Sequence, residues 1–239
     1  MALHEIGPNL ARITSFLATQ GNPRLLAVSK YASLEAIKEA YQFGQRDFGE
    51  SKVQVLAEKE QALAHLPDIR WHFIGHLQTN KLNALLKITR LVSIKAIDSW
   101  HLAEALYQKM QALPQHPPLN FYWQVNPNLQ DQKYGLKTYA QLQEVMLAWQ
   151  KLTPLPNLQQ EGLMVMSSLT SEEAQNDFAA AAEKTFTQTK TWAKQAAQEF
   201  GLPPLKLSMG MSQDYAVAVK VGTDEVRIGS QIFGTLTSN

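Results

Sequence analysis

Short apolar runs alternate with longer stretches of helical spacing along this chain, and that alternation limits the available folds more than any other feature. The first apolar run, LLAV at 25–28, is followed by Ser29 and Lys30, and Ser33 then opens a helix over 33–43 that Gly44 stops. Strand-like segments recur at 46–51, 71–75, 91–97, 121–126, 162–166, 205–209 and 226–228. Between them lie helical stretches at 53–66, 81–87, 100–113, 139–151 and 215–221, with PQHPP breaking the third of these. A longer helix before the seventh strand has Thr170 and Glu173 spaced as a capping box, and Gly201 with Pro203 at its close. Ahead of the first strand, Leu10, Ile13, Phe16 and Leu17 predict an extra amphipathic helix over 9–18, packed on the outside.

A sequential strand–helix rhythm demands parallel pairing, because parallel neighbours need a crossover. Eight such units in 239 residues match a single (β/α)₈ barrel. A doubly wound sheet is the competing architecture but normally uses fewer strands. No linker, low-complexity run or composition shift divides residues 1–239, so one domain is expected.

Charge and composition remove several function classes. With 22 basic and 21 acidic residues the net charge is +1, which argues against broad binding to nucleic acid or an anionic membrane. There is no cysteine, so disulfides, thiolate catalysis and cysteine-ligated metals are excluded. The amino terminus lacks a charged start followed by an apolar run, and no stretch reaches the ~20 apolar residues of a membrane span. A cytoplasmic protein is the expectation.

In a barrel the residues after each strand share one mouth, so they are read together. They are Lys30, Glu50 with Ser51, His76, Asp98, Asn126, Ser167 with Ser168, SMGMS at 208–212 and RIGS at 227–230. A lysine there serves as a phosphate clamp, a salt-bridge partner, a Schiff-base nucleophile whose pKa desolvation lowers, or simply a solvated loop residue. The last two strand ends look suited to an anion. Ser212 is placed at the start of a helix led by Asp214, and Gly229 with Ser230 opens a loop whose amides can approach an oxyanion. Glycine turns of this kind are more often only turns. Arg227 points to the face opposite Val226 and Ile228; it calls for an acceptor, which is either an acid such as Asp98, Glu50 or Asp224, or a ligand's ring nitrogen.

Other features carry less. His72 and His76 have metal-like spacing, but no local third ligand joins them and core histidines are commoner, so no metal is expected. DFG at 47–49 lacks every other kinase element, and the five tryptophans and seven methionines read mostly as packing.

From 25 to 234 the segments LLAVSK, FGESKVQ, WHFIGHLQTNK, AIDS, QVN, KYGL, GLMVM, LSMGMSQDY and VRIGSQIFG follow in the order and approximate spacing of a known family. On these segments the chain resembles the pyridoxal phosphate homeostasis proteins. The resemblance implies a monomeric barrel, similar to the barrel domain of alanine racemases, that carries pyridoxal 5′-phosphate (PLP) as a Schiff base without established catalytic turnover. It implies that Lys30 holds the aldehyde carbon, that Ser212, Gly229 and Ser230 take the phosphate, and that Arg227 faces the pyridine nitrogen. Ser51 stands where the family commonly has asparagine. Lys133 matches a loop lysine near the mouth and is read here as an ordinary solvated residue.

Two further classes compete with a carrier that holds, buffers or delivers PLP to apo-enzymes. A racemase or decarboxylase would use the same linkage, but a racemase of this type needs a second base, usually from an added β-domain and a dimer partner. The chain runs five residues past Gly234, so no such domain is expected. A phosphosugar aldolase using Lys30 as its own Schiff base would be colourless, unlike a PLP protein.

Overall fold

The computed structural model describes residues 5–128, 134–167 and 177–234. Eight parallel strands close into a barrel: β1 (Arg24–Val28), β2 (Asp47–Glu50), β3 (Arg70–Phe73), β4 (Leu91–Ile97), β5 (Leu119–Val125), β6 (Leu158–Val165), β7 (Lys206–Ser208) and β8 (Glu225–Ile228). Closure is made by β1 against β8, with Arg24 opposite Glu225 and Ala27 opposite Ile228.

Around it run α1 (Ile6–Ala18), α2 (Leu34–Gln42), α3 (Val53–Ala62), a 3₁₀ turn (Thr79–Lys81) leading into α4 (Leu82–Leu85), α5 (Trp100–Gln111), α6 (Tyr139–Gln150), α7 (Phe178–Glu199), α8 (Tyr215–Val221) and α9 (Ser230–Phe233). Several helix starts are fixed by side chains that accept an otherwise orphan amide: Ser33 from Ala36, Ser99 from Leu102, Thr138 from Gln141 and Asp177 from Ala180. No helix among the described residues is long and apolar enough to cross a membrane.

The main core lies between barrel and helices, where Ala27, Phe48, Trp71, Ile94, Phe121, Val226 and Ile228 meet the apolar stripes of the helices. The interior of the barrel is different. Beside a small apolar cluster of Ala96, Tyr122 and Met164 it holds His72, Lys95, Ser208, Glu225 and Arg227, all buried. The additional helix α1 buries Ile6, Leu10, Ile13 and Leu17 and packs on α2 and α9.

Three elements depart from expectation. β6 begins at Leu158, four residues before 162, because its polar start is used: Gln160 accepts from the Trp123 indole at 2.7 Å and Glu161 pairs with Lys206 at 2.7 Å. α3 ends at Ala62, not 66, and the helix expected at 81–87 is shortened to a 3₁₀ turn and one α turn. The capping box at Thr170 and Glu173 lies outside the described residues; the described helix is capped by Asp177.

Candidate functional site

A cavity of about 640 Å³ opens at the carboxyl ends of the strands, within the roughly 300–1,000 Å³ range of small-molecule sites. Lys30, Ser51, Ser212, Arg227, Gly229 and Ser230 all line it, together with an apolar wall that includes Val28, Ile74, Met164, Met166, Met211 and Phe233. Two other hollows, of about 370 and 520 Å³, border the amino-terminal ends of β6 to β8, the face that barrels of this kind do not use for chemistry.

Lys30 follows β1 by two residues on a turn that is firmly held. The Ser29 amide donates to the Gly49 carbonyl at 3.0 Å, and its hydroxyl donates to Glu50 Oε1 at 2.8 Å. From α3, Lys59 donates to the Ser29 carbonyl at 2.8 Å and to Glu50 at 2.6 Å. The peptide leading into Lys30 is therefore clamped, while the Lys30 side chain is exposed, with Nζ 5.1 Å from the centroid of the Tyr31 ring. The burial on which the desolvation argument rested is not there. Ser51 reaches the cavity edge beside Gly75, where a Cβ would stand 2.0 Å from the Ser51 carbonyl oxygen, so only glycine allows the two strand ends to approach this closely.

The adjoining wall, next to β1 on its other side, is built by the loops after β7 and β8. Gly210 sits at φ +97°, and Asp214 accepts from the Met211 amide at 2.5 Å and from the Ser167 hydroxyl, which shapes the loop carrying Ser212. Ser212 was expected at the start of a helix that Asp214 leads. Instead it precedes α8, and the Asp214 side chain serves the loop rather than capping that helix. The two expected anion loops touch: the Gly229 amide donates to Ser212 Oγ at 3.3 Å, and Gln231 Nε2 donates to the Ser212 carbonyl at 2.5 Å. The amides opening the short turn at Ser230 have no acceptor within that turn and border the cavity.

Arg227 is 5% exposed and closes the deep end. Its acceptors are none of the acids weighed from the sequence. Nη1 donates to Ser208 Oγ at 2.8 Å and Nη2 to the Val165 carbonyl at 2.7 Å. Burial lowers its pKa, with Glu225 and Asp214 pulling the other way; a guanidinium remains charged in proteins, so it acts only as a donor. Its remaining N–H groups find no acceptor among the described residues.

Other strand-end residues serve elsewhere. Glu50 turns outward to Lys59. His76 lies beyond β3, stacked on Tyr134 at 3.7 Å and 3.4 Å from Asp98. Asn126 is buried, and Asp224 accepts from the Leu207 amide at 2.8 Å. His72 is a satisfied interior histidine between Asp47 at 2.9 Å and Ser93 at 2.7 Å, and among the described residues no cluster of metal ligands forms. Ser168 and Lys133 lie outside the described residues. Tyr31 and the cavity methionines were missed. For Met164 and Met166 a signal was present, since the expected strand over 162–166 puts two residues two apart on one face.

A closed parallel barrel with an amine, two hydroxyl-bearing loops and a buried guanidinium around one mouth defines a class of small-anion or cofactor-binding barrel. The family model described as alanine racemase, N-terminal domain, matches residues 2–237. The pyridoxal phosphate homeostasis protein of Mus musculus is 36% identical over 220 residues, covering 89% of this chain and 76% of the relative. PipY of Synechococcus elongatus, solved with PLP bound, superposes with a TM-score of 0.82 at 34% identity, covering 96% of this chain and all (100%) of that one. Alanine racemase from E. faecalis shares the fold, with a TM-score of 0.70 at 16% identity over 98% of this chain and 58% of the enzyme. The chain belongs to the pyridoxal phosphate homeostasis protein family.

Proposed function

We propose that this protein binds pyridoxal 5′-phosphate and serves PLP homeostasis by holding, buffering or delivering the cofactor, without catalytic turnover of its own. One observation carries the reading: a single cavity joins the exposed amine of Lys30, the Ser212 and Gly229–Ser230 loops, and the buried guanidinium of Arg227. The PLP-bound relative with the same barrel supports it.

The residues present fit such a group. When bound, PLP supplies an aldehyde carbon and an electron-withdrawing pyridine ring. Lys30 would join that carbon through Nζ as a Schiff base. Ser212, Gly229 and Ser230 would hold the phosphate, the Ser230 amide as a backbone donor and Gly229 by leaving no side chain in the way. Arg227 would donate to the ring nitrogen, and a permanently charged donor leaves that nitrogen unprotonated, which weakens carbanion chemistry. Ser51 would border the ring at the second strand end. In this reading the whole chain is one PLP-binding unit, a cytoplasmic monomer whose partners are PLP-dependent apo-enzymes.

The test is a PLP titration followed by borohydride reduction and peptide mapping. A band near ~420 nm and a label fixed on Lys30 are expected. A label that persists in a folded Lys30→Ala variant, or a protein that never colours, would sink the reading.

A further inference from the structure

We infer that Ser208 is a positioning residue for Arg227, and that Glu225, braced by Lys95, sets the direction of the Ser208 hydroxyl. This rests on the reading of Arg227 as the group facing the cofactor ring. Ser208 and Glu225 are register partners on β7 and β8, and Glu225 and Arg227, two apart on β8, share the inward face. Ser208 Oγ lies 2.8 Å from Arg227 Nη1 and 2.7 Å from Glu225 Oε1. Glu225 Oε2 accepts from Lys95 Nζ at 3.0 Å, and Lys95 sits 3.6 Å from the centroid of the Tyr122 ring.

Chemistry fixes the polarity of this chain. A guanidinium only donates and a serine hydroxyl has one proton, so Ser208 accepts from Arg227 and gives its proton to the Glu225 carboxylate. Burial pushes the Glu225 carboxyl up, but Lys95, His72, the Ser208 hydroxyl and Arg24 together bring it down to about 2, so it is the charged acceptor at neutral pH. Burial lowers the pKa of Lys95 while Glu225 pulls it the other way, and Ser208, Glu225 and Lys95 are each at most 2% exposed, so bulk water does not compete for their bonds. The Ser208 oxygen and the Val165 carbonyl hold two points of the guanidinium plane and leave the rest of the fork toward the cavity. Without the hydroxyl, Nη1 loses its acceptor, and Glu225 on the same face draws the guanidinium inward, away from the ring.

The experiment compares wild type, Ser208→Ala and Ser208→Thr, each loaded with PLP, by absorption from pH 5 to 9 and by borohydride trapping. Ser208→Ala should retain the Lys30 label while its band position and pH dependence shift and its PLP affinity falls about tenfold; threonine, which keeps the hydroxyl, should move the spectrum back toward wild type. Spectra of Ser208→Ala superimposable on wild type, with both carrying the label, would overturn the inference and leave the cofactor reading intact. A wild-type protein that takes up no PLP would instead overturn the cofactor reading, and the role of Ser208 with it. Should Ser208→Ala fail to fold, Glu225→Gln is read in the same way: a shifted band supports the chain of bonds, and an unshifted one refutes it.

Discussion

Arg227 shows how tightly the chemistry of one residue is bound to its surroundings. A carboxylate at that position would stand on the same inward face as Glu225, and two buried like charges are costly. Arg227→Glu should therefore unfold at lower denaturant than wild type, whereas Arg227→Gln should stay folded, changing the absorption of bound PLP more than its phosphate affinity. Urea melts alongside spectra separate the two, and equal midpoints for both variants would contradict the placement. The floor of the barrel makes a pH prediction. Burial raises the Asp47 carboxyl's pKa, but the bidentate Arg70 contact at 2.8 and 2.6 Å and the His72 contact override it and hold it well below 3.8. The unfolded chain takes that proton first, so the stabilisation is present above about pH 4 and is lost as pH falls. Burial also lowers His72 below its ordinary 6.5, so keeping it neutral opposes folding from pH 6.5 downward. Both act in one direction: the melting temperature should decline from about pH 6.5 and more steeply below 4, and a flat profile over that range would refute the network.

Among the elements, α1 couples an outer layer to the site. Ile13 is fully buried, Asn9 Nδ2 donates to the Ile232 carbonyl of α9 at 3.4 Å, and Phe16 packs edge-on against Tyr215 of α8. Ile13→Ala should cost about 2–5 kcal/mol in urea unfolding, and PLP affinity should weaken modestly because α9 begins at Ser230. A loss below 1 kcal/mol would mean that α1 is not part of the core. Gly210→Ala should cost about 1–3 kcal/mol, since φ is +97° and the new Cβ would lie 2.7 Å from that of Ala218. It should also displace Ser212, which a larger loss of PLP affinity than in Ile13→Ala would reveal. Elements were legible wherever one face was apolar, as in the helix over 215–221, which matches α8 residue for residue. They were not legible where polar residues do strand work: Gln160 and Glu161 read as loop because their partners, Trp123 and Lys206, are distant in sequence.

At the scale of the molecule, the mouth was readable and the interior was not. Order along the chain maps onto order around a barrel, so strand ends gathered Lys30, Ser51, Ser212, Arg227, Gly229 and Ser230 together with Glu50, His76, Asp98, Asn126 and Ser167, which do not line the cavity, and the family resemblance narrowed that list. The link from Ser208 through Glu225 to Lys95 could not be gathered in this way, because nothing local in LVSIKAI supplies a partner for its lysine until closure brings Glu225, 130 positions away, within hydrogen-bond distance. The same architecture bears on turnover. Among the described cavity-lining residues the titratable groups besides Lys30 are Tyr31, Asp214 and Arg227. Asp214 is engaged by Met211 and Ser167, Arg227 has no acceptor capacity, and Tyr31 stands on the Lys30 side, its ring near that amine. Inverting a carbon centre requires a base on each face, and among the described cavity-lining residues no free base stands away from the Lys30 side. Incubation of the PLP-loaded protein with a panel of L- and D-amino acids should therefore give racemisation no faster than free PLP at the same concentration, with PLP-treated Lys30→Ala indistinguishable from free PLP. Sustained racemisation that disappears in Lys30→Ala would establish an enzyme, and would require a second base from residues other than those lining the described cavity.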